Sequence, residues 1–207
     1  MRDPFPGPWV MHGVVVLVLF LGIAWSLRWS GWPLRFGGPV VGVLLGCCIV
    51  AAIPFRGLQP AGWLLGVMPG CSIPLLVLLL HGCLRACGGP PLLNPSGLRT
   101  VAWFGIATGL ILYPGSLGWG SWDPYAAGWG ARWLFAVVGT LAAACLLVRN
   151  GLGIVLLAAI TAWHLGILES RNYWDYLVDP MLLLVCLPLA IQRRVVSPAA
   201  PVAATGS

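Results

Sequence analysis

Lysine is absent from this chain, and only five acidic residues occur among its 207 positions: Asp3, Asp123, Glu169, Asp175 and Asp179. Charged residues make up 8% of the sequence, against roughly 25% in soluble globular domains. So few charges cannot cover the surface of a water-soluble domain of this length, which excludes that class. Also missing are a phosphate-binding glycine loop opening a helix, a His-Glu-x-x-His pair and a Gly-x-Ser-x-Gly elbow, the signatures of nucleotide hydrolases, zinc proteases and serine esterases. The charged strings of a proton pump or voltage sensor are absent as well.

Cysteine is present without a framework. Cys47, Cys48, Cys71, Cys83, Cys87, Cys145 and Cys186 are odd in number, follow no disulfide spacing and lie in or beside apolar stretches, where Cys packs as a small hydrophobe. Cys83 and Cys87 share a helix face with His81 nearby, but packing is the reading adopted and no metal or cofactor is expected. The net charge of +6 comes from arginines scattered singly between apolar runs. That pattern marks membrane topology and excludes a nucleic-acid stripe.

What is present is apolar sequence: 59% hydrophobic residues and a mean hydropathy of +0.94. The fold expected is all-α, a polytopic transmembrane helical bundle forming one membrane-embedded domain over residues 1–196, with a disordered tail over 197–207. The abundance of Arg, Gly, Pro, Ala and Trp, with no Lys, points to a GC-rich bacterial source and so to the bacterial inner membrane. Turn-rich breaks divide the chain into about seven spans, near 9–27, 38–55, 62–84, 98–113, 131–148, 152–168 and 180–192. The first has no small-residue cleavage site after it and is expected to be retained. The last is short for a crossing, and six crossings result if it is re-entrant. Pro69 and Pro74 are expected to kink or break the third span.

Glycines recur every fourth residue on three spans: Gly38, Gly42 and Gly46; Gly62, Gly66 and Gly70; Gly105 and Gly109. Such stripes let helix backbones approach closely in lipid, so all eight are expected at helix contacts.

Placing the C-terminus in the cytoplasm puts Arg28, Arg35, Arg85, Arg99, Arg149, Arg193 and Arg194 inside and leaves Arg2, Arg56, Arg132 and Arg171 outside, as the positive-inside rule favours. Every acidic residue then falls on the outer face, four of them in two loops. One loop contains Ser121-Trp122-Asp123-Pro124-Tyr125, the other runs from Glu169 to Pro180, and each carries a Trp-Asp pair, a nearby Tyr and an Asp-Pro step.

Asp before Pro suits a helix N-terminus, so Asp179 is expected to cap the last span and Asp123 a short turn. The Trp and Tyr residues fit an aromatic belt at headgroup level. Glu169, Arg171 and Asp175 exceed what one cap needs. With Asp123, Trp122 and Trp174 they form the candidate outer-face site, able to hold a cation, a lipid headgroup or a sugar. His164, about one turn below Glu169, is a candidate proton relay.

Cys71, Arg149 and His164 follow the Cys, Arg, His order of exosortase-like transpeptidases, and Gly70-Cys71-Ser72 resembles the local pattern around the family's cysteine. The span order puts Arg149 at the cytoplasmic end and His164 near the outer face, too far apart for one active site, so the family's roles are not transferred.

Two functions are compatible with these features. The first is a non-catalytic subunit or accessory factor, packed through its glycine stripes against a larger membrane protein or a second copy of itself. The second is a small enzyme or carrier handling a lipid-linked or glycosylated substrate at the outer face. Membrane lipid is a partner in both. A reporter fused after Arg194 is expected to read cytoplasm and one inserted after Gly118 periplasm; the same compartment for both would overturn the orientation.

Overall fold

The computed structural model describes residues 7–32, 34–67, 70–119, 123–130 and 132–191. Trp122, Pro69, Arg2, Asp3, Arg193, Arg194 and the 197–207 tail lie outside the described residues. All the regular elements described are helices: α1 Gly7–Trp29, α2 Gly38–Ala52, α3 Pro60–Val67, α4 Ile73–Ala86, α5 Pro95–Ser116, α6 Ala127–Gly130, α7 Arg132–Leu147, α8 Leu152–Leu165, α9 Trp174–Leu177 and α10 Pro180–Ile191.

Local chemistry accounts for several boundaries. Asn94 caps α5, its Oδ1 accepting from Gly97 N–H at 2.7 Å with Pro95 at the first position, and Ser72 caps α4 through Leu75 N–H. Gly166 closes α8 in the left-handed conformation, φ 62°, which costs glycine nothing. The expected span at 62–84 is two helices, α3 and α4, as a proline-rich break implies. Pro114 and Pro188 sit inside α5 and α10.

Two segments are long and apolar enough to cross a membrane: Val10–Trp29, and Trp174–Ile191, which comprises α9, an extended break at Val178 and Asp179, and α10. The last helix itself, α10, is 12 residues long, as the short 180–192 span expected from sequence implies, and the 18-residue stretch is reached only by counting α9 and the break before α10. Among the intermediate helices only α5, with 22 residues, reaches that length, and it does not meet the same length-and-hydropathy test. Helices α2, α4, α7 and α8 contain 15, 14, 16 and 14 residues, a rise of about 21–24 Å against a hydrocarbon core of ~30 Å. A seven-span bundle therefore does not follow from helix length.

The main core is built where α10 packs on α5, α7 on α8, and α1 on α2, α3 and α4, with α4 bridging to α8. Leu156, Val101, Ala102, Ala142, Leu177 and Leu182 are fully buried in it. Outward faces remain apolar: Val41, Leu45 and Ile49 on α2, Leu110 and Ile111 on α5, Val137 on α7, Ile154 on α8 and Leu184 on α10 are all exposed. A second, smaller cluster joins Phe20 and Ala24 of α1 to Cys47 of α2 and Cys83 and Cys87 of the α4 end.

The glycine stripes divide by what they face. A Cβ on Gly105 would lie 2.8 Å from Cys186 Sγ and 3.2 Å from Leu182 Cγ, and one on Gly109 would lie 3.3 Å from Leu183 Cδ1, so α5 and α10 meet along these two glycines. At Gly38, Gly42, Gly46, Gly66 and Gly70 a Cβ would meet nothing within 4 Å, and at Gly62 only the Leu58 side chain. Four-residue spacing creates a smooth face without determining that a neighbour lies on it.

Ala at Gly42 should accordingly leave thermal stability in mild detergent unchanged or raise it by up to about 1 kcal/mol, through helix propensity. Ala at Gly105 should lower it by about 1–3 kcal/mol through overpacking against α10. Equal effects at the two positions would contradict the contact geometry.

Candidate functional site

The two acidic loops meet at one end of the bundle. Asp123 Oδ1 accepts from Tyr125 N–H at 2.9 Å and Ala126 N–H at 3.4 Å, closing the turn that leads into α6. Fifty residues later the second loop threads against it. Asn172 is fully buried; its Nδ2 donates to Tyr125 O at 3.0 Å, its Oδ1 accepts from Trp174 N–H at 3.0 Å, and its backbone N–H donates to Ser170 Oγ. Trp174 Nε1 donates to Pro124 O at 2.9 Å, and Tyr173 N–H to Gly128 O at 3.1 Å. A Cβ on Gly128 would run into Asn172 Oδ1, so only glycine fits this crossing.

Trp174 and Tyr176 are buried, 8% and 1% exposed, and do not form the aromatic belt expected of them. Their polar tips are satisfied inside the protein, Tyr176 Oη accepting from Leu168 N–H and donating to Leu168 O. A ring with one polar atom suits a water boundary and a buried, hydrogen-bonded pocket equally well, which is why sequence does not separate the two.

Asp179 has two tasks. Its Oδ1 accepts from Leu182 N–H at 2.8 Å, the expected cap on α10, while its Oδ2 accepts from the backbone N–H of Ser72 at 2.8 Å, 107 residues away. One carboxylate therefore holds the N-termini of α4 and α10 together. Its charge, only 7% exposed, is stabilised by two N–H donors and the positive ends of two helix dipoles.

Between these groups lies a cavity of about 380 Å³ lined by Gly70, Leu112, Tyr113, Ser116, Tyr125, Asp175, Val178, Asp179 and Pro180. Tyr125 Oη donates to both oxygens of Asp175, at 3.1 and 3.0 Å. Burial, and then the neighbouring Asp175 charge, push the Tyr125 phenol up to about 12, so it stays a donor at physiological pH. Ser116 Oγ donates to Leu112 O in its own helix. Tyr113 Oη is buried with no hydrogen-bond partner.

Of the residues expected at the site, Asp175 alone lines this cavity. Asp123 and Trp174 brace the loops around it. Glu169 and Arg171 are exposed outside it, and Trp122 lies outside the described residues. His164 is also exposed, edge-on to Phe135 and Trp163 at 5.4 and 5.3 Å between ring centroids, with no place in the cavity lining. Arg149 precedes α8 and His164 lies in its last turn, about 20 Å apart along the helix, which separates the transpeptidase-like trio in space. His81 Nδ1 accepts from Leu93 N–H and Cys83 Sγ donates to Leu17 O, both structural contacts. Tyr125 and Asn172 fall in the two loops that the sequence marks out, without an assigned role there, and Tyr113 is not among the residues expected at the site. The one available cue for the tyrosines was their place in the loop bounded by Tyr113 and Tyr125.

No family model matches the chain, and no curated protein or solved structure shows detectable similarity to it.

Replacing Asp179 with Ala strands the Ser72 and Leu182 N–H groups, and the expected loss is about 2–4 kcal/mol, a cap plus a buried unsatisfied donor. Asn keeps one acceptor and should lose roughly half as much. Detergent thermal denaturation with all three proteins tests the ranking Asp, Asn, Ala; no difference between Asn and Asp would show that the second helix contact contributes nothing.

Proposed function

We propose that this chain is a multi-pass protein of a bacterial inner membrane that binds a small ligand in the cavity at its outer end, acting as a binding or carrier component rather than an enzyme. The membrane reading rests on composition, on the two long apolar segments, and on the apolar side chains that α2, α5, α7, α8 and α10 turn outward. Helices of 14–16 residues reach across with help from flanking loops, long arginine side chains at the ends and local bilayer thinning. The orientation puts Arg85, Arg99 and Arg149 at the cytoplasmic ends and the Asp175 cavity at the periplasmic end.

The observation that carries the ligand reading is the cavity itself, with a mostly apolar wall and a few polar groups converging on it, the usual anatomy of a small-molecule site. Its groups bind better than they catalyse. Asp175 already accepts from Tyr125, a phenol that burial keeps protonated, Asp179 is occupied by two backbone donors, and the Ser116 hydroxyl in the lining bonds within its own helix rather than to a base.

A second reading, a subunit of a larger assembly, is favoured by the uncovered glycine stripe of α2 at Gly38, Gly42 and Gly46. The two readings are compatible, since a carrier component can pack against a partner through α2.

Ser116→Trp would fill the cavity while giving up only a hydroxyl bonded within its own helix. In a deletion strain this variant should fail to restore the wild-type phenotype although its amount and thermal stability in the membrane fraction stay near wild type. Ser96→Trp, near the opposite end of α5, should restore it. Full restoration by Ser116→Trp at normal protein level would remove the cavity as the working site.

A further inference from the structure

The charges of this protein are divided between its two ends. Asp175 and Asp179 lie at the start of α4, where Ser72 N–H binds the Asp179 carboxylate, and Asp123 and Glu169 stand in the two loops that meet there. Arg85 occupies the last turn of α4 and Arg28 the last turn of α1. Cys83 Sγ donates to Leu17 O in the middle of α1, and Phe36, beyond α1, lies against Gly89, beyond α4, so the two helices run in one direction. Arg28, Arg35 and Arg85 therefore share an end that holds none of the described acidic residues.

A groove opens at that end between α1 and α2. Its mouth, about 700 Å³, is lined by Leu27, Trp32, Leu34, Arg35, Pro39 and Val43. Val43 is shared with a deeper, wholly apolar section of about 290 Å³, between Leu19 and Ile23 of α1 and Gly46, Cys47 and Val50 of α2. Glycine makes the room there, since a Cβ on Gly46 would meet nothing within 4 Å. From Pro39 to Val50 the groove follows α2 for about 16 Å. That is close to half of a ~30 Å hydrocarbon core, the depth of one leaflet.

The mouth is cationic and aromatic. Ser26 and Ser30 of α1 donate within their own helix, to Gly22 O and Ser26 O, which leaves the exposed Arg35 as the charged group of the lining. Its planar fork of donors matches the oxygens of a phosphate diester. Trp25, Trp29 and Trp32 are all exposed around this turn, as indoles are at headgroup level. Charge, rings and apolar depth thus follow one another in the order of a phospholipid molecule.

Resting on the membrane reading above, but not on the outer-end cavity, we infer that the α1–α2 groove binds an anionic phospholipid of the bilayer. Its phosphate lies at Arg35 and one acyl chain runs down between Ile23 and Val50. A free phosphate would gain nothing from the apolar section, and a zwitterionic lipid brings no net charge to an end where arginines stand without acids. In the orientation proposed above, the groove opens to the cytoplasmic leaflet, whose surface is negative.

The test uses the full chain purified in mild detergent, with lipid retention read by native mass spectrometry and stability by thermal denaturation. Phosphatidylglycerol and phosphatidylcholine with the same acyl chains are titrated separately, with inorganic phosphate as the soluble control. Phosphatidylglycerol should bind more tightly than phosphatidylcholine, and inorganic phosphate should not stabilise. Arg35→Gln should weaken phosphatidylglycerol binding by about fivefold, the effect of one arginine near an anionic surface, and bring it close to phosphatidylcholine. Gly46→Leu, which fills the deep section, should weaken both lipids alike. Arg99→Gln, exposed in the first turn of α5 outside the groove lining, should leave the preference intact.

Equal binding of the two lipids by wild type overturns the inference, as does equal phosphatidylglycerol affinity in wild type and Arg35→Gln. A loss in Arg99→Gln as large as in Arg35→Gln assigns the preference to general surface charge and overturns it too. Stabilisation by inorganic phosphate equal to that by phosphatidylglycerol identifies a free anion instead, and a dimer that forms with release of lipid gives the groove to a second copy of the chain; either result removes the lipid site. If alkaline washing strips the chain from the membrane fraction, the membrane reading falls and the lipid site with it. If the chain stays in that fraction and shows no anionic preference, the lipid site alone falls.

Discussion

The end of the bundle where the two acidic loops meet depends on one buried carboxylate. Asp179 joins the first backbone donors of two helices 107 residues apart in sequence, and those helices reach most of the bundle: α10 packs on α5, and α4 on α1 and α8. An unpaired charge at 7% exposure would be costly. Here the cost is met by two strong N–H donors and two aligned helix dipoles, so the charge and the geometry require each other. With the starts of α4 and α10 held together, Gly70, Val178 and Pro180 are brought to a common wall.

The two loops above that wall are held by a different device, side chains that satisfy backbone groups across the gap. Asn172, Trp174 and Tyr176 spend their hydrogen-bonding capacity on Tyr125 O, Pro124 O and the two polar groups of Leu168. Two phenol oxygens stay outside this lacing. Tyr113 Oη lacks a partner and is buried within a residue of the cavity wall; Tyr173 Oη also lacks one, but it is fully buried beside Phe135 at 4.2 Å between ring centroids and Trp163 at 6.2 Å, and does not line the cavity. Satisfied polar groups thus form the frame of this end of the bundle, around the cavity wall that Tyr113 and Asp175 share.

How legible each feature was in sequence follows the range of the interaction behind it. The caps at Asp123 and Asp179 could be anticipated because a carboxylate before proline acts on donors two or three residues away. Trp174 was placed in a headgroup belt and is buried, because one indole serves either environment. The glycines every fourth residue were expected at helix contacts. The spacing is the same at Gly42 and Gly105, yet only Gly105 has a helix against it. Glu169 and Arg171, charges near the expected membrane boundary, are simply exposed, whereas the sequence assigns Tyr113 and Tyr125 no role of their own because a tyrosine's role depends on what its hydroxyl meets.

The sequence by itself determined the helical class, the apolar character of the outward surfaces and the local turns, since these are properties of composition and of neighbours a few residues apart. Tertiary structure decided which helices touch and which polar groups converge. The Tyr125 and Asp175 pair is 50 residues apart and the Ser72 and Asp179 pair 107. No periodicity encodes such pairings, because they arise only when packing of α5 on α10 and of α4 on α8 brings distant loops to the same end of the bundle.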